Sequence, residues 1–272
     1  MSDNFAIING NLILKDEAKI LISDLSIQRG YGIFDYFRTV NNQPLFLEDH
    51  LDRFFSSASQ MNLNPGMDRD QVKKLIQQLI EKNNVPGSGV KIILTGGYSE
   101  DGYHIARPNL LITQNPFVFN KENFNKGIRL VTYGYQRQLP QVKTIDYLMA
   151  IYLQKFIKEK DADDVLYHDQ AQIRECPRSN FFIVNKNNEV VTPSKDILKG
   201  ITRKKILNLP GFNIKEANIN LKDIESAKEA FITSTTKNVL PVLKFDGKII
   251  GNGKPGEITT LIFQKIFDLK EH

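Results

Sequence analysis

The residues that follow Lys143 set the strongest constraint on how the chain folds. Ile145, Leu148, Met149, Tyr152, Leu153, Phe156 and Ile157 recur at the spacing of one helical face. Such a face needs a partner layer, so the spacing predicts one long amphipathic helix on a core, with Thr144 available as its capping hydroxyl. Lys143 then stands at the mouth of a rigid element, where partial desolvation helps an amine shed its proton and act as a nucleophile. A lysine taken in isolation would be a solvated residue at a helix start. Its meaning depends on what else the chain carries.

With 272 residues the chain can bury a sizeable core, in one large domain or two modest ones. No apolar run approaches the length of a membrane span, and Met1-Ser2-Asp3-Asn4-Phe5 lacks a basic stretch followed by an apolar block, so no signal peptide is expected. The lone cysteine, Cys176, excludes an intrachain disulfide, and with four scattered histidines no metal site is expected. The net charge of +5 comes from basic residues spread along the chain, without the basic stripe or aromatic platform of a nucleic-acid binder. The expectation is a soluble cytoplasmic protein, with no nucleic-acid or membrane partner. Its basic balance suits an anionic small molecule.

Apolar runs at 5–8 and 11–14 around Asn9-Gly10 predict a two-residue hairpin. Strands are expected at 20–22, 33–40, 90–95 and 109–113, and helices at 47–61 and 69–82. These elements predict an α+β domain over 1–115, and residues 116–127 lose periodicity and read as an interdomain connection. The larger domain, 128–272, mixes strands and helices without the regular alternation of a Rossmann sheet. Its strands are expected at 128–133, 164–168, 172–174, 180–185, 189–192, 230–233 and around Asp246-Gly247. Further helices are expected from about Thr202, at 221–227 and at 258–269.

Four features of the second half belong to one chemistry. They are Lys143, the polar stretch from Arg174 to Asn180 containing Glu175, the turn at Gly200 that delivers Ile201 and Thr202 into a helix, and the hydroxyls of Thr233, Ser234, Thr235 and Thr236 after a strand. A helix start after glycine offers free N–H groups and threonines add donors, so both suit a phosphate. An amine, a carboxylate and a phosphate cradle are the three requirements of pyridoxal phosphate: Schiff base, partner for the ring nitrogen, and anchor. Each feature alone is commonplace; their ordered combination is not.

Through these motifs the chain resembles the class IV, fold-type IV, pyridoxal-phosphate aminotransferases, which include branched-chain aminotransferases, D-amino-acid transaminases and aminodeoxychorismate lyases. The resemblance runs from Asn9-Gly10 to the terminal helix. It implies a mixed α/β, two-domain enzyme with its active site in the interdomain cleft. Lys143 falls on the lysine that holds the cofactor, Glu175 with Ser179 and Asn180 on the E-x-x-x-S-N pattern whose glutamate faces the ring nitrogen, and 198–203 on L-x-G-I-T-R, where Ile201 and Thr202 bind phosphate. Thr235 and Thr236 match the S-T-T turn, Arg53 the arginine of an H-x-x-R helix that reaches the phosphate, and Tyr147 a tyrosine near the phenolic oxygen. A homodimer is implied as well.

Substrate recognition departs from the pattern. Many D-amino-acid transaminases hold the substrate carboxylate with an Arg-x-His pair, whereas here the loop from Gly96 to His104 has no arginine before its histidine. Arg29, which the family places near a neighbouring subunit's site, and Lys91 are the cations that could serve instead, and Tyr31, Phe34 and Tyr36 are expected to line the side-chain pocket. Tyr36 stands where the lyases carry threonine, which demotes that activity to an alternative. A non-catalytic binder of the cofactor or of a phosphate ligand is the other alternative. The expected reaction is transamination between an amino acid and a 2-oxo acid, with D-amino acids placed ahead of branched-chain L-amino acids.

Overall fold

Asn9 and Gly10 both take positive φ, 51° and 86°. They form the tight turn between β1 (Phe5–Ile8) and β2 (Asn11–Leu14) that the dipeptide predicts. The computed structural model describes residues 4–271; residues 1–3, which open the stretch read for a signal peptide, lie outside them. The chain forms two compact units, Met1–Val118 with Val142–Asp146, and Phe119–Gln141 with Tyr147–His272.

The first unit continues with α1 (Leu25–Arg29), β3 (Gly32–Val40), β4 (Gln43–Pro44), α2 (Leu47–Gln60), α3 (Arg69–Asn83), β5 (Ser88–Thr95) and β6 (Leu110–Pro116). Its six strands lie in the order β2-β1-β6-β5-β3-β4, and every neighbouring pair is antiparallel. Alternate residues of one sheet face, Ile7, Ile33, Phe37, Val90, Ile92, Leu94 and Ile112, pack with Leu51, Phe54, Val72, Ile76 and Leu79 of α2 and α3. Each such side chain contributes about 1.5–3 kcal/mol by leaving water. Helix α3 starts where a capping box places it, with Asp68 and Gln71 satisfying each other's backbone N–H groups.

The strand expected at 20–22 is absent: Leu21 and Ile22 are exposed in irregular backbone. The next residue of consequence is Asp24, whose buried carboxylate accepts from Thr95 Oγ1 and Asn109 Nδ2 and caps α1 through the Ser26 N–H. Gly30 at φ 66° ends that helix.

The second unit comprises α4 (Glu122–Lys126), β7 (Ile128–Gly134), α5 (Leu148–Tyr152), α6 (Gln154–Glu159), β8 (Asp164–Asp169), β9 (Gln172–Ile173), β10 (Asn180–Val184), β11 (Val190–Pro193), α7 (Ile201–Leu207), β12 (Ile214–Ala217), α8 (Leu221–Glu225), β13 (Glu229–Ser234), β14 (Asn238–Phe245), β15 (Lys248–Ile249) and α9 (Glu257–Glu271). Eight strands run β12-β11-β10-β13-β14-β7-β8-β9, with β15 paired to β14. Pairings are parallel at β11/β12, β14/β7 and β7/β8 and otherwise antiparallel. On one face Phe182 and Phe231, stacked at 4.8 Å, pack with Ile206 of α7 and with Ile262 and Ile266 of α9. Among the described residues no helix is long and apolar enough to cross a membrane.

The long helix expected behind Lys143 does not form. Residues 143–145 are not helical: Thr144 bridges Ile33 on the edge of β3, and Thr144 is therefore no cap. Helix begins only at Leu148 and is interrupted at Leu153 between α5 and α6. Leu153 and Ile157 are buried, but Leu148 and Tyr152 are 76% and 72% exposed, so the apolar series does not form one buried face. The same edge pairing places Val142–Asp146 with the first unit, whereas the sequence boundaries had put Lys143 in the second. Helix α4 falls inside the stretch expected to be a connection, and β12 had no forerunner among the expected elements.

Candidate active site

The first half of β3 has an edge that β4, paired only to Thr39 and Val40, leaves to the 143–145 segment. Phe34 N–H donates to the Lys143 carbonyl at 2.9 Å and Ile145 N–H donates to the Gly32 carbonyl at 3.0 Å. Lys143 N–H donates to Ser57 Oγ of α2 at 3.3 Å, and Val142 beside it is buried in the first core. A sheet edge, a helix and a core residue thus fix the lysine's backbone. Its Nζ lies 4.4 Å from the centre of the Phe34 ring, and Lys91 Nζ lies 4.9 Å from the same ring.

Because β3 alternates, Phe34 and Tyr36 face away from the core that receives Ile33 and Phe37. Tyr36 stands opposite Lys91 of β5. Its hydroxyl lies over Gly89, where a Cβ would fall 1.7 Å from the phenol oxygen. Burial pushes the Lys91 ammonium below its ordinary pKa and the Tyr36 phenol above its own. Phe34, Tyr36, Lys91 and Lys143 are therefore brought together. Tyr31 is not among them: its ring packs on the first core and its hydroxyl donates to the Met61 carbonyl at 2.7 Å. Arg29 is exposed at the end of α1, with Nη1 donating to the Gln28 carbonyl. It borders the loop after β5, since a Cβ at Gly102 would lie 3.6 Å from its Nη2. In that loop Asp101 accepts from the backbone of Tyr103 and His104 and pairs with His104 Nδ1.

On the core side of β3, Asp35 is fully buried. Arg53 of α2 meets it at two points, Nε to Oδ2 and Nη2 to Oδ1, each at 2.8 Å. His50 Nδ1 lies 2.7 Å from Oδ1, and the Tyr36 N–H donates to the same oxygen. Burial alone would raise the Asp35 carboxyl, but Arg53 and His50 together outweigh it and hold the group well below the usual carboxylate range. Burial lowers His50, with Asp35 opposing and the charges of Arg53 and Lys143 adding to the lowering.

In the second unit Glu175 is buried and accepts from Arg137 Nη1 at 2.8 Å, from the Leu198 N–H at 3.1 Å and from Asn180 Nδ2 at 3.3 Å. Asn180 also donates to the Leu198 carbonyl at 2.7 Å, which ties β10 to the segment leading into α7. Gly200, the N-cap of α7, offers no side chain to the helix's first N–H groups. At its start a Cβ on Gly200 would lie 2.2 Å from Asn180 Oδ1, and Thr202 Oγ1 accepts from the buried Lys270 Nζ at 3.3 Å. Thr233 Oγ1, next to Asn180 across the β10/β13 ladder, is buried without a hydrogen-bond partner. N–H groups at a helix start, a glycine that admits no side chain and an orphaned hydroxyl fit the phosphate end of pyridoxal phosphate. Thr235 and Thr236 sit in the β13–β14 turn; Ser234 Oγ accepts from the Lys237 N–H, and Lys237 Nζ reaches Asp164 Oδ2 and Ser179 Oγ. Tyr147 is half-buried immediately before α5.

Arg137 and Asp35 escaped the sequence reading, whereas Thr233 opens the run of hydroxyls that the sequence offers as phosphate donors. Arg137 lies in aperiodic chain, and Asp35 occupies a core position of a strand where an apolar residue is the rule. The H-x-x-R spacing of His50 and Arg53 was the one signal that pointed toward Asp35.

The first unit carries a fixed amine and the second a buried carboxylate, two groups that a phosphorylated, amine-reactive cofactor requires. The chain belongs to the amino-transferase class IV family, whose sequence model matches residues 32–245. As a member it is a pyridoxal-phosphate-dependent aminotransferase of mixed α/β, fold-type IV architecture. A D-alanine aminotransferase of Listeria monocytogenes serotype 1/2a is 27% identical over 95% of this chain and 93% of its own length. A putative branched-chain-amino-acid aminotransferase of Methanocaldococcus jannaschii is 26% identical over 97% of this chain and 95% of its own. The fold matches the branched-chain amino acid aminotransferase of Escherichia coli at a TM-score of 0.90 and 21% identity, over 99% of this chain and 95% of that one. It also matches a hypothetical aminotransferase from Mycobacterium tuberculosis in its PLP-bound form, at a TM-score of 0.84 and 17% identity over 98% of each chain.

Proposed function

We propose that the enzyme moves an amino group between an amino acid and a 2-oxo acid, with D-amino acids preferred to branched-chain L-amino acids. The observation that carries the reading is the fixed amine: Lys143 is clamped through its own and neighbouring backbone groups, and its Nζ rests on the Phe34 ring. When bound, pyridoxal phosphate supplies a sink for the electrons of the substrate Cα–H bond. Lys143 would be the residue that holds the cofactor and the base that takes up and returns the Cα proton. Glu175, oriented by Arg137 and the Leu198 N–H, would accept from the ring nitrogen, with Ser179 and Asn180 bracing its loop. Arg53, Ile201, Thr202, Thr235 and Thr236 would hold the phosphate, and Tyr147 would stand near the phenolic oxygen. Lys91, with Arg29, stands in for the absent Arg-x-His pair at the substrate carboxylate, and Phe34 and Tyr36 meet the side chain.

The preference for D-amino acids is supported by the D-alanine aminotransferases among the relatives, and branched-chain relatives at similar identity keep the second substrate class as the runner-up. A half-reaction screen tests it: each D- and L-amino acid is mixed separately with the purified protein while cofactor absorbance is followed. Conversion to the pyridoxamine form by L-leucine and by no D-amino acid would reverse the preference; conversion by neither would favour the lyase or the binder. Lys143→Ala should abolish turnover and covalent cofactor attachment, and a borohydride-fixed cofactor in that variant would sink the assignment. The proposal includes a cytoplasmic homodimer. Exposed Leu148, Ile151 and Tyr152 on α5 support the dimer, and sedimentation at monomer mass at micromolar concentration would contradict it.

A further inference from the structure

Helix α2 turns one face toward β3 and the Lys143 segment. His50, Arg53 and Ser57 follow at spacings of three and four residues and so share that face. His50 and Arg53 converge on Asp35, while Ser57 accepts the Lys143 N–H. One helix therefore holds both an arginine and the backbone of the reactive lysine.

A guanidinium carries five N–H donors in a fixed plane. Asp35 takes two of them, through Nε and Nη2, and Nη1 lies outside that pair. The two contacts set the plane of the guanidinium as well as its position, which a single contact would not do. Asp35 is itself held by His50 and by the Tyr36 N–H, and lies at 0% exposure within a strand. Its site leaves little room for the carboxylate to turn.

We propose that Asp35 is a positioning residue that acts through Arg53, setting the guanidinium so that Nη1 meets an anionic oxygen of the cofactor's phosphate. This rests on Arg53 being a phosphate contact. Asp35 touches neither cofactor nor substrate in this role; its charge and its two oxygens pre-orient the group that does.

The test compares binding of pyridoxal phosphate with binding of pyridoxal, which has the aldehyde but no phosphate, to the apoenzyme. Asp35→Asn should weaken pyridoxal phosphate about tenfold or more and change pyridoxal less than about twofold. Arg53→Met should lower the same ratio at least as far, and Asp35→Asn added to Arg53→Met should lower it no further, because the group it positions is gone. If Asp35→Asn alone does not fold, the comparison of Arg53→Met with the double variant carries the test, since removing both partners leaves no unpaired buried charge. Equal weakening of both ligands in Asp35→Asn, or further loss of the ratio in the double variant, would overturn the positioning role. An unchanged ratio in Arg53→Met would instead overturn the phosphate reading of Arg53 and the proposal built on it, while attachment through Lys143 would stand.

Discussion

Arg137 Nη1 lies 2.8 Å from Glu175 Oε1, with side-chain exposures of 17% and 6%. The pair joins the aperiodic segment before Lys143 to the strand-connecting stretch that carries the carboxylate. Once the arginine is removed, the Leu198 N–H and the Asn180 amide still donate to Glu175, but both are neutral donors facing a buried charge. Arg137→Leu should therefore cost about 3 kcal/mol in urea unfolding, the scale of a buried pair broken from one side. Arg137→Lys keeps a cation and should lose less than half as much. Equal stabilities for wild type and Arg137→Leu would show that the contact contributes nothing.

Gly89 is required by Tyr36. A Cβ there would lie 1.7 Å from the phenol oxygen and 2.3 Å from Cζ, and neither the sheet nor the ring can yield that much without moving. Gly89→Ala should cost about 1–3 kcal/mol, as overpacking does. The loss should largely disappear when Tyr36→Ala is added, giving a coupling above about 1 kcal/mol. Additive effects would place the strain elsewhere.

Where local chemistry decides structure, the chain was legible. Asn9-Gly10 demands a tight hairpin, and the apolar spacing at 47–61 and 69–82 produced α2 and α3 within a residue or so. The segment behind Lys143 was misread because its apolar spacing is helical while its backbone is claimed by the edge of β3, a partner about a hundred residues away that periodicity cannot see. Part of that apolar series, Leu148 and Tyr152, is exposed instead of buried. The buried partners of the site were hidden for a similar reason. Asp35 and Arg137 matter through neighbours brought to them by folding, whereas Lys143, Glu175 and Gly200 sit in short motifs that can be read in place.

His50 should give stability a pH dependence on the acid side of neutrality. Burial lowers its folded pKa beneath the ordinary 6.5, with Asp35 only partly opposing. The unfolded chain then binds the proton first as pH falls, so this contribution is fully present above about pH 6.5 and is lost as pH drops toward the folded value. The limiting slope is about 1.4 kcal/mol per pH unit. Asp35, with its carboxyl held down, contributes stability above the unfolded carboxylate range and loses it only at far lower pH. Urea unfolding at pH 7.5 and 5.5 should show a smaller difference in His50→Gln than in wild type. The same difference in both would assign the slope to other groups.

Lys91 offers a last discrimination, between a cation that binds substrate and one that merely covers Phe34. Its Nζ lies 4.9 Å from the ring that also carries Lys143, and burial lowers its pKa. A charged hydrogen bond to the substrate carboxylate is worth about 1.5–3 kcal/mol. Lys91→Met keeps the apolar stem and removes the charge, so KM for amino acid and 2-oxo acid should rise about tenfold or more, with kcat changed much less. Because the ammonium is the form that binds, wild-type KM should climb as alkaline pH removes its proton, and the lowered pKa brings that climb to a lower pH than a solvated lysine would show. Lys91→Arg should bind substrate without the alkaline climb. A Lys91→Met enzyme with unchanged KM would move the carboxylate contact to Arg29 and would leave Lys91 as packing for Phe34.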